Sequence, residues 1–431
     1  MVAFAVMLKR SVRLMWFGAA FACGMALAVA GWAPPPVLAQ GTVTAFVGAT
    51  LVDGTGAAPV DNGVVLVRDG RIAAVGRAAA VTIPAGATQV DLRGKTLLPG
   101  FVNAHGHVDD PMGTRANLER QLTLYGRYGI TSVLSLGEET GAGADLRGDA
   151  RGRARLYFAG PVVDGNTSEA AATAADKTVA FKPDWVKIRV DDNNGAGMKM
   201  PRAASKAAID RAHAAGLPVA AHMYYLEDAK QLLRDGIDLL AHSVRDQPVD
   251  QELINLARER NVCLVPTLMR DMSIFVYEST PAFFSDPFFL KYSNQATVKT
   301  LTSPERQAQV RNNPNTARFK KVLELGSQNM MRMKNGGVKI AMGTDSGAAN
   351  RFQGYFEHME LELMVKAGLT PMQAIVAATG DAAACIKRQG MVGTLQPGAW
   401  ADLAVYTVSP AADIRNTRTL ESVWVSGQRI P

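Results

Sequence analysis

Between residues 101 and 344 the chain alternates eight short apolar runs with helical stretches, and this alternation restricts the fold more than any other feature. The runs lie at 101–105, 132–136, 156–159, 185–190, 218–222, 239–242, 263–267 and 338–344, and amphipathic stretches such as 203–215, 226–234 and 250–260 separate them. Short buried strands joined by helices form parallel βαβ units, and eight such units fit a (β/α)8 TIM barrel of ordinary length. The second and third helices are weakly marked, because Gly-rich 141–152 and Ala-rich 169–182 lack a clear period, so the count of eight is inferred across them.

The flanks have another texture. Residues 42–96 read as short strands and tight turns, and Asp69-Gly70 between the apolar runs 64–68 and 71–75 is a hairpin signal, since this pair accepts the positive φ of a type I′ turn. Residues 395–430 are also strand-like, without a helix of their own. Neither flank can bury a stable sandwich alone. The expected architecture is therefore a composite β-sandwich made from 40–97 and 389–431, with the barrel, 98–388, inserted between them.

Residues 1–39 read as a signal peptide. Lys9, Arg10 and Arg13 precede an uncharged apolar run from Leu14 to Ala30, and Val37-Leu38-Ala39 supplies the small residues of a cleavage site. The expectation is an exported chain, periplasmic or secreted, beginning near Gln40 and without stable membrane insertion. The alternative is an uncleaved anchor, for which the apolar run is only marginally long. Cleavage removes Cys23, leaving Cys263 and Cys385. In an oxidising compartment these could pair, although two buried thiols are the commoner arrangement in so large a chain. Cleavage also lowers the formal charge of +7 by three. With no basic cluster interleaved with aromatics, a nucleic-acid partner is not expected.

Residues 268–314 form a connection too long for a barrel loop and carry Phe275, Tyr277, Phe283, Phe284, Phe288, Phe289 and Tyr292. Such a segment reads either as a lid over a site or as a contact in a homo-oligomer.

The chemistry converges on strand ends. His105 and His107 are two apart and face one side of an extended segment, where two neutral imidazoles can hold one metal. His222 ends one apolar run, His242 ends the next, and Asp345 follows the last. Barrel enzymes place their catalytic groups at these C-terminal tips, so four of the six histidines would meet at one mouth. His213 and His358 have no such placement and read as structural. In Trp185-Val186-Lys187-Ile188-Arg189-Val190, alternation sends Val186, Ile188 and Val190 toward the helices and Lys187 into the barrel. A buried amine shifts toward its neutral form, which can react with carbon dioxide to give an anionic carbamate able to bridge two cations. The alternative is an ion pair with Asp345 or another carboxylate.

These residues resemble the amidohydrolase superfamily, and within it the imidazolonepropionase-like branch that includes prolidase-type dipeptidases. The resemblance spans the chain beyond the leader and rests on Leu98-Pro99-Gly100-Phe101-Val102-Asn103-Ala104-His105-Gly106-His107, the Lys187 strand, Ala221-His222-Met223-Tyr224, Leu240-Ala241-His242 and Gly343-Thr344-Asp345-Ser346-Gly347. It implies that His105, His107 and Asp345 ligate one divalent metal, that His222 and His242 ligate a second, and that carboxylated Lys187 bridges them. Zinc suits imidazole and carboxylate donors, though manganese, iron or cobalt also fit. A hydroxide held between the cations would attack a carbonyl, with Asp345 taking its proton and delivering it to the leaving nitrogen. Tyr224 matches a family tyrosine that hydrogen-bonds the substrate. Arg189 and Arg245 each read either as a clamp for a substrate carboxylate or as a structural ion pair. The segment Gly160-Pro161-Val162-Val163-Asp164-Gly165-Asn166 lacks the Gly-Gly-His of the prolidase type, which leaves peptide substrates open.

The expected function is hydrolysis of an amide or peptide-like C–N bond in a small molecule. One rival is a mononuclear hydrolase of a cyclic amide, lactone or amidine. Another is a non-catalytic binding protein on the same fold.

Overall fold

Alternating apolar residues build five strands before the barrel region: β1 (Val43–Leu51), β2 (Val60–Arg68), β3 (Arg71–Arg77), β4 (Thr88–Asp91) and β5 (Thr96–Pro99). The computed structural model describes residues 43–108, 114–137, 141–148, 150–192, 197–348 and 350–431. The leader expected at 1–39 lies outside them. At the β2–β3 turn Asp69 and Gly70 have φ of 51° and 76°, as the hairpin signal requires.

The middle of the chain supplies seven parallel strands. β6 (Phe101–Gly106), β7 (Ile130–Ser135) and β8 (Arg155–Phe158) form one sheet; β9 (Val186–Arg189), β10 (Val219–His222), β11 (Leu239–Ala241) and β12 (Cys263–Val265) form another. Parallel pairing in sequence order, with helices such as Arg202–Ala214 and Leu226–Asp235 as crossovers, gives a TIM-barrel-like α/β fold. The expected eighth run is no regular ladder strand. It bridges the two sheets instead, through Leu264↔Ile340 on β12 and Gly106↔Ser346 on β6. The Ala104 amide donates to Met342 O at 2.9 Å and the Thr344 amide to His105 O at 3.1 Å. Gly343 permits this approach, since a Cβ there would lie 2.8 Å from the His105 amide nitrogen. On the other flank Val163 bridges Ile188.

Strand alternation sorts the core into two sets. Val186, Ile188 and Val190 pack with helix residues such as Ala204, Ala208 and Leu232, whereas Trp185 packs with Val102, Ala104, Ala220, Ala241 and Ala341 of neighbouring strands. Lys187, between Val186 and Ile188, therefore points to the strand-lined side with Trp185. The weakly marked 169–182 is a helix, Ser168–Ala180, begun by Thr167, whose hydroxyl accepts the Ala170 amide at 3.1 Å.

The C-terminal strands β13 (Leu403–Tyr406), β14 (Leu420–Val425) and β15 (Gln428–Arg429) return to the first five. Together they make one eight-stranded sheet in the order β15-β14-β13-β5-β1-β2-β3, with β4 on β1. The two flanks thus share a sheet, and Phe46 of β1 meets Trp424 of β14 edge-on at 4.9 Å.

The structure decides between the two readings of the cysteines. Cys263 and Cys385 are not two buried thiols but a disulfide, which ties the start of β12 to the helix Gly380–Cys385. The 268–314 connection is largely helical, with Pro287 and Pro304 in the first turns of the helices Pro287–Leu290 and Pro304–Asn312, where proline costs no hydrogen bond. Tyr277, Phe283, Phe284 and Phe289 are buried against Tyr128, Tyr355 and Phe356, so these rings form an internal cluster. Among the described residues no helix is long and apolar enough to cross a membrane.

Candidate metal centre

His105 is the fifth residue of β6 and His107 follows that strand, so both rings emerge at its C-terminal end. Asp345 comes from the bridging run, and its Oδ1 lies 2.7 Å from His107 Nε2 and 3.7 Å from His105 Nε2. One donor atom from each of the three falls within 4.8 Å of the others. Lys187 of β9 is buried with Nζ 3.5 Å from His105 Nε2. His222 ends β10 and His242 follows β11; His242 Nε2 is 2.8 Å from His222 Nδ1, and the His242 ring centroid is 4.8 Å from that of His105. The six residues expected as ligands thus lie together.

The outward nitrogens of the second pair are engaged. His222 Nε2 is 2.5 Å from Asp191 Oδ2, and His242 Nδ1 is 2.6 Å from Thr267 Oγ1, whose own proton goes to Pro266 O at 2.8 Å. With the ring protons assigned to His222 Nε2 and His242 Nδ1, the tautomers that suit a carboxylate and a hydroxyl acceptor, His222 Nδ1 and His242 Nε2 are both free to give a lone pair to a cation. Neutral imidazoles and a carboxylate are the donor types a divalent cation takes, so the donor set fits a cation. Burial keeps these imidazoles neutral, with His105 and His242 held well below the ordinary value of 6.5 and His222 lowered to about 3. For Asp345 burial acts upward, but the Arg351 guanidinium, His107 and His105 outweigh it and hold the carboxyl well below its ordinary range.

The backbone at the strand tips is strained. His242, Thr267 and Asp345 have φ of 103°, 52° and 57°, a region costly for residues with a Cβ, at about 1–3 kcal/mol each. Strain of this kind persists where surrounding contacts over-determine the position, as at binding sites.

The other expected site residues separate. Tyr224 is nearly buried, and its oxygen accepts from Arg318 Nη2 at 3.2 Å. Arg189 stands at the exposed rim with Nε 3.4 Å from Asp191 Oδ1. Arg245 is fully buried, donating to Asp271 Oδ1 and Met223 O, each at 2.9 Å, and stacks 5.0 Å from the Tyr224 ring. A carboxylate clamp at Arg245 is thereby corrected to an internal ion pair, because its charge is spent on Asp271 and no surface is left for a ligand. His213 pairs with Asp238 at 2.9 Å and His358 meets Tyr128 O at 2.8 Å, both away from the cluster. Several neighbours carried no sequence signal: Arg351, with Nη1 2.8 Å from Asp345 Oδ2, Arg270 at 3.8 Å from the same oxygen, and Asp191 and Thr267.

A barrel-like α/β fold whose strand ends gather four imidazoles, a carboxylate and a lysine defines a class of metal-dependent hydrolase. Residues 96–430 match the amidohydrolase family, and the chain belongs to it: a hydrolase acting on C–N bonds, in a family that is metal-dependent. An uncharacterised protein of Mycobacterium tuberculosis is 25% identical over 368 residues, covering 79% of this chain and 85% of that one. Among solved structures, a Bifidobacterium longum protein provisionally named a prolidase is 25% identical, with a TM-score of 0.74, covering 90% of this chain and 94% of its own. An Xaa-Pro dipeptidase with bound methionine is 18% identical with a TM-score of 0.72, over 90% and 99% of the two chains. A molinate hydrolase is 21% identical with a TM-score of 0.67, over 91% and 95%.

Proposed function

We propose that this chain is an exported binuclear amidohydrolase that cleaves an amide or peptide-like C–N bond of a small molecule, on a closed (β/α)8 barrel with a composite β-sandwich. The observation that carries this reading is the convergence of His105, His107, Lys187, His222, His242 and Asp345, with ring nitrogens of His222 and His242 2.8 Å apart.

His105, His107 and Asp345 would hold one divalent cation and His222 with His242 a second, zinc being the natural choice, with carboxylated Lys187 shared between them. When bound, such ions supply electrophilic activation of a water and of the scissile carbonyl. Lys187 reaches its carbamate by attack of the neutral amine on carbon dioxide, with loss of one proton. Asp345 would take a proton from the attacking water and return it to the leaving nitrogen, and its contacts with Arg351 and His107 favour the ionised carboxylate. Arg318 donates to the Tyr224 oxygen, so the phenolic proton is directed elsewhere and can be given to the substrate carbonyl or carboxylate. Arg189, at the rim, would steer an anionic substrate.

Export is supported by the leader pattern and by the Cys263–Cys385 disulfide, a bond that persists in oxidising compartments. Substrates of the amide and peptide type are supported by the prolidase and dipeptidase among the structural neighbours. The test is removal of metal by a chelator followed by readdition of Zn²⁺ or Mn²⁺, assayed on N-acyl amino acids, dipeptides and lactones. Hydrolysis should vanish and return; hydrolysis indifferent to both treatments would overturn the mechanism. The tightness of the His105–His107–Asp345 group also favours a mononuclear reading, which a metal content of one per chain would select.

A further inference from the structure

Beneath the first half of the site lies a buried carboxylate that none of this chemistry uses. Glu357, on the helix Tyr355–Ala367, is fully buried, and its Oε1 accepts from Asn103 Nδ2 at 2.6 Å, Thr344 Oγ1 at 2.7 Å and Ser346 Oγ at 2.5 Å. Each donor is next to a candidate ligand. Asn103 Oδ1 accepts the His105 amide at 2.9 Å, so its side chain holds the backbone of that ligand. Thr344 and Ser346 flank Asp345, and the Ser346 amide donates to Thr344 Oγ1 at 3.1 Å, closing the turn in which Asp345 takes its positive φ of 57°. Tyr125 Oη lies 2.8 Å from Ser346 Oγ; the serine proton is committed to Glu357, so the tyrosine donates. One oxygen thus joins β6 to the bridging run, two segments about 240 residues apart in sequence.

We propose that Glu357 is a positioning residue which sets the geometry of the His105–His107–Asp345 subsite without touching substrate or metal. The inference rests on the binuclear reading above. A hydrogen-bond acceptor shared by both segments fixes the separation of their ligands, whereas the strained Asp345 backbone alone would relax away from it. The His222–His242 pair makes none of these contacts, being braced by Asp191 and Thr267. The effect of Glu357 is therefore confined to one of the two subsites. Partners of this outer kind typically alter metal affinity by roughly 10–100-fold.

The experiment is Zn²⁺ titration of the full chain against a chromophoric chelator, with visible absorption of the Co²⁺-loaded protein as a second readout. Glu357→Leu should weaken one of two binding steps by roughly 10–100-fold and leave the other unchanged. Glu357→Gln keeps an acceptor oxygen and should restore most of the loss. If Glu357→Leu does not fold, Thr344→Val deletes one of the three donors and should weaken the same step to a smaller degree. Equal weakening of both steps, or none, would overturn the assignment. Wild-type protein that takes up no metal would instead overturn the functional reading, and the two failures are distinguishable in the same titration.

Discussion

The two halves of the candidate metal centre are braced by different means. His105, His107 and Asp345 stand on segments that meet directly, and Glu357 gathers hydrogen bonds from both. His222 and His242 stand on adjacent strands, and each ring has a partner of its own, Asp191 or Thr267. In the first half one loss reaches several donors at once; in the second a loss stays with one ring. The helix Tyr355–Ala367 nevertheless serves both, because Glu360 accepts the Leu268 and Met269 amides at 2.9 and 2.6 Å, immediately after Thr267.

The sharpest way to separate the halves is through Asp345, the one candidate ligand proposed to move a proton. Asp345→Asn should lower kcat by roughly 10²–10⁴-fold while the His222–His242 subsite still binds metal. Loss of metal from both subsites would erase the distinction drawn here. Behind the second half, Arg245→Met leaves Asp271 buried with only Arg270 as cation, at 2.8 Å. Breaking a buried pair costs about 3–5 kcal/mol when no other partner remains; because Arg270 still pairs with Asp271, chemical denaturation should show a loss below that range. A rise in KM at unchanged stability would return Arg245 to the substrate. Tyr224→Phe removes one hydrogen bond and should lower kcat/KM by roughly tenfold without changing metal content.

The smallest effect concerns the shared helix. Burial pushes the Glu360 carboxyl up from 4.5 to about 8, against its two backbone donors, which act downward. The folded chain then holds this proton more tightly than the unfolded chain, so its contribution to stability is complete below pH 4.5 and is lost as pH rises through 8. Glu360→Gln should flatten the fall in melting temperature across that window; an unchanged slope would remove Glu360 as its source.

How much of this was legible in the sequence follows from the range of each signal. Period-two alternation is local, and it was enough to turn Lys187 inward with Trp185. Strand-tip histidines were legible because barrels collect such positions at one end. The eighth run escaped as a regular strand because Gly343 and the positive φ of Asp345 press it against β6 without a continuous ladder. Glu357, Arg351 and Asp191 were not legible, since a buried acceptor and a solvated charge look alike until distant segments meet. The disulfide was hidden for the same reason, its cysteines being 122 positions apart in sequence. In the aromatic-rich connection seven rings suggest exposure, whereas they are largely packed against one another and against Tyr355 and Phe356, a partnership that only the fold reveals.

The most direct test of the account is the metal content of wild-type chain and Lys187→Ala after reconstitution with Zn²⁺ and exhaustive removal of free ion. Two ions per wild-type chain, falling to one or none in the variant, are the predicted result. Two ions retained without Lys187 would contradict a centre whose halves share that residue.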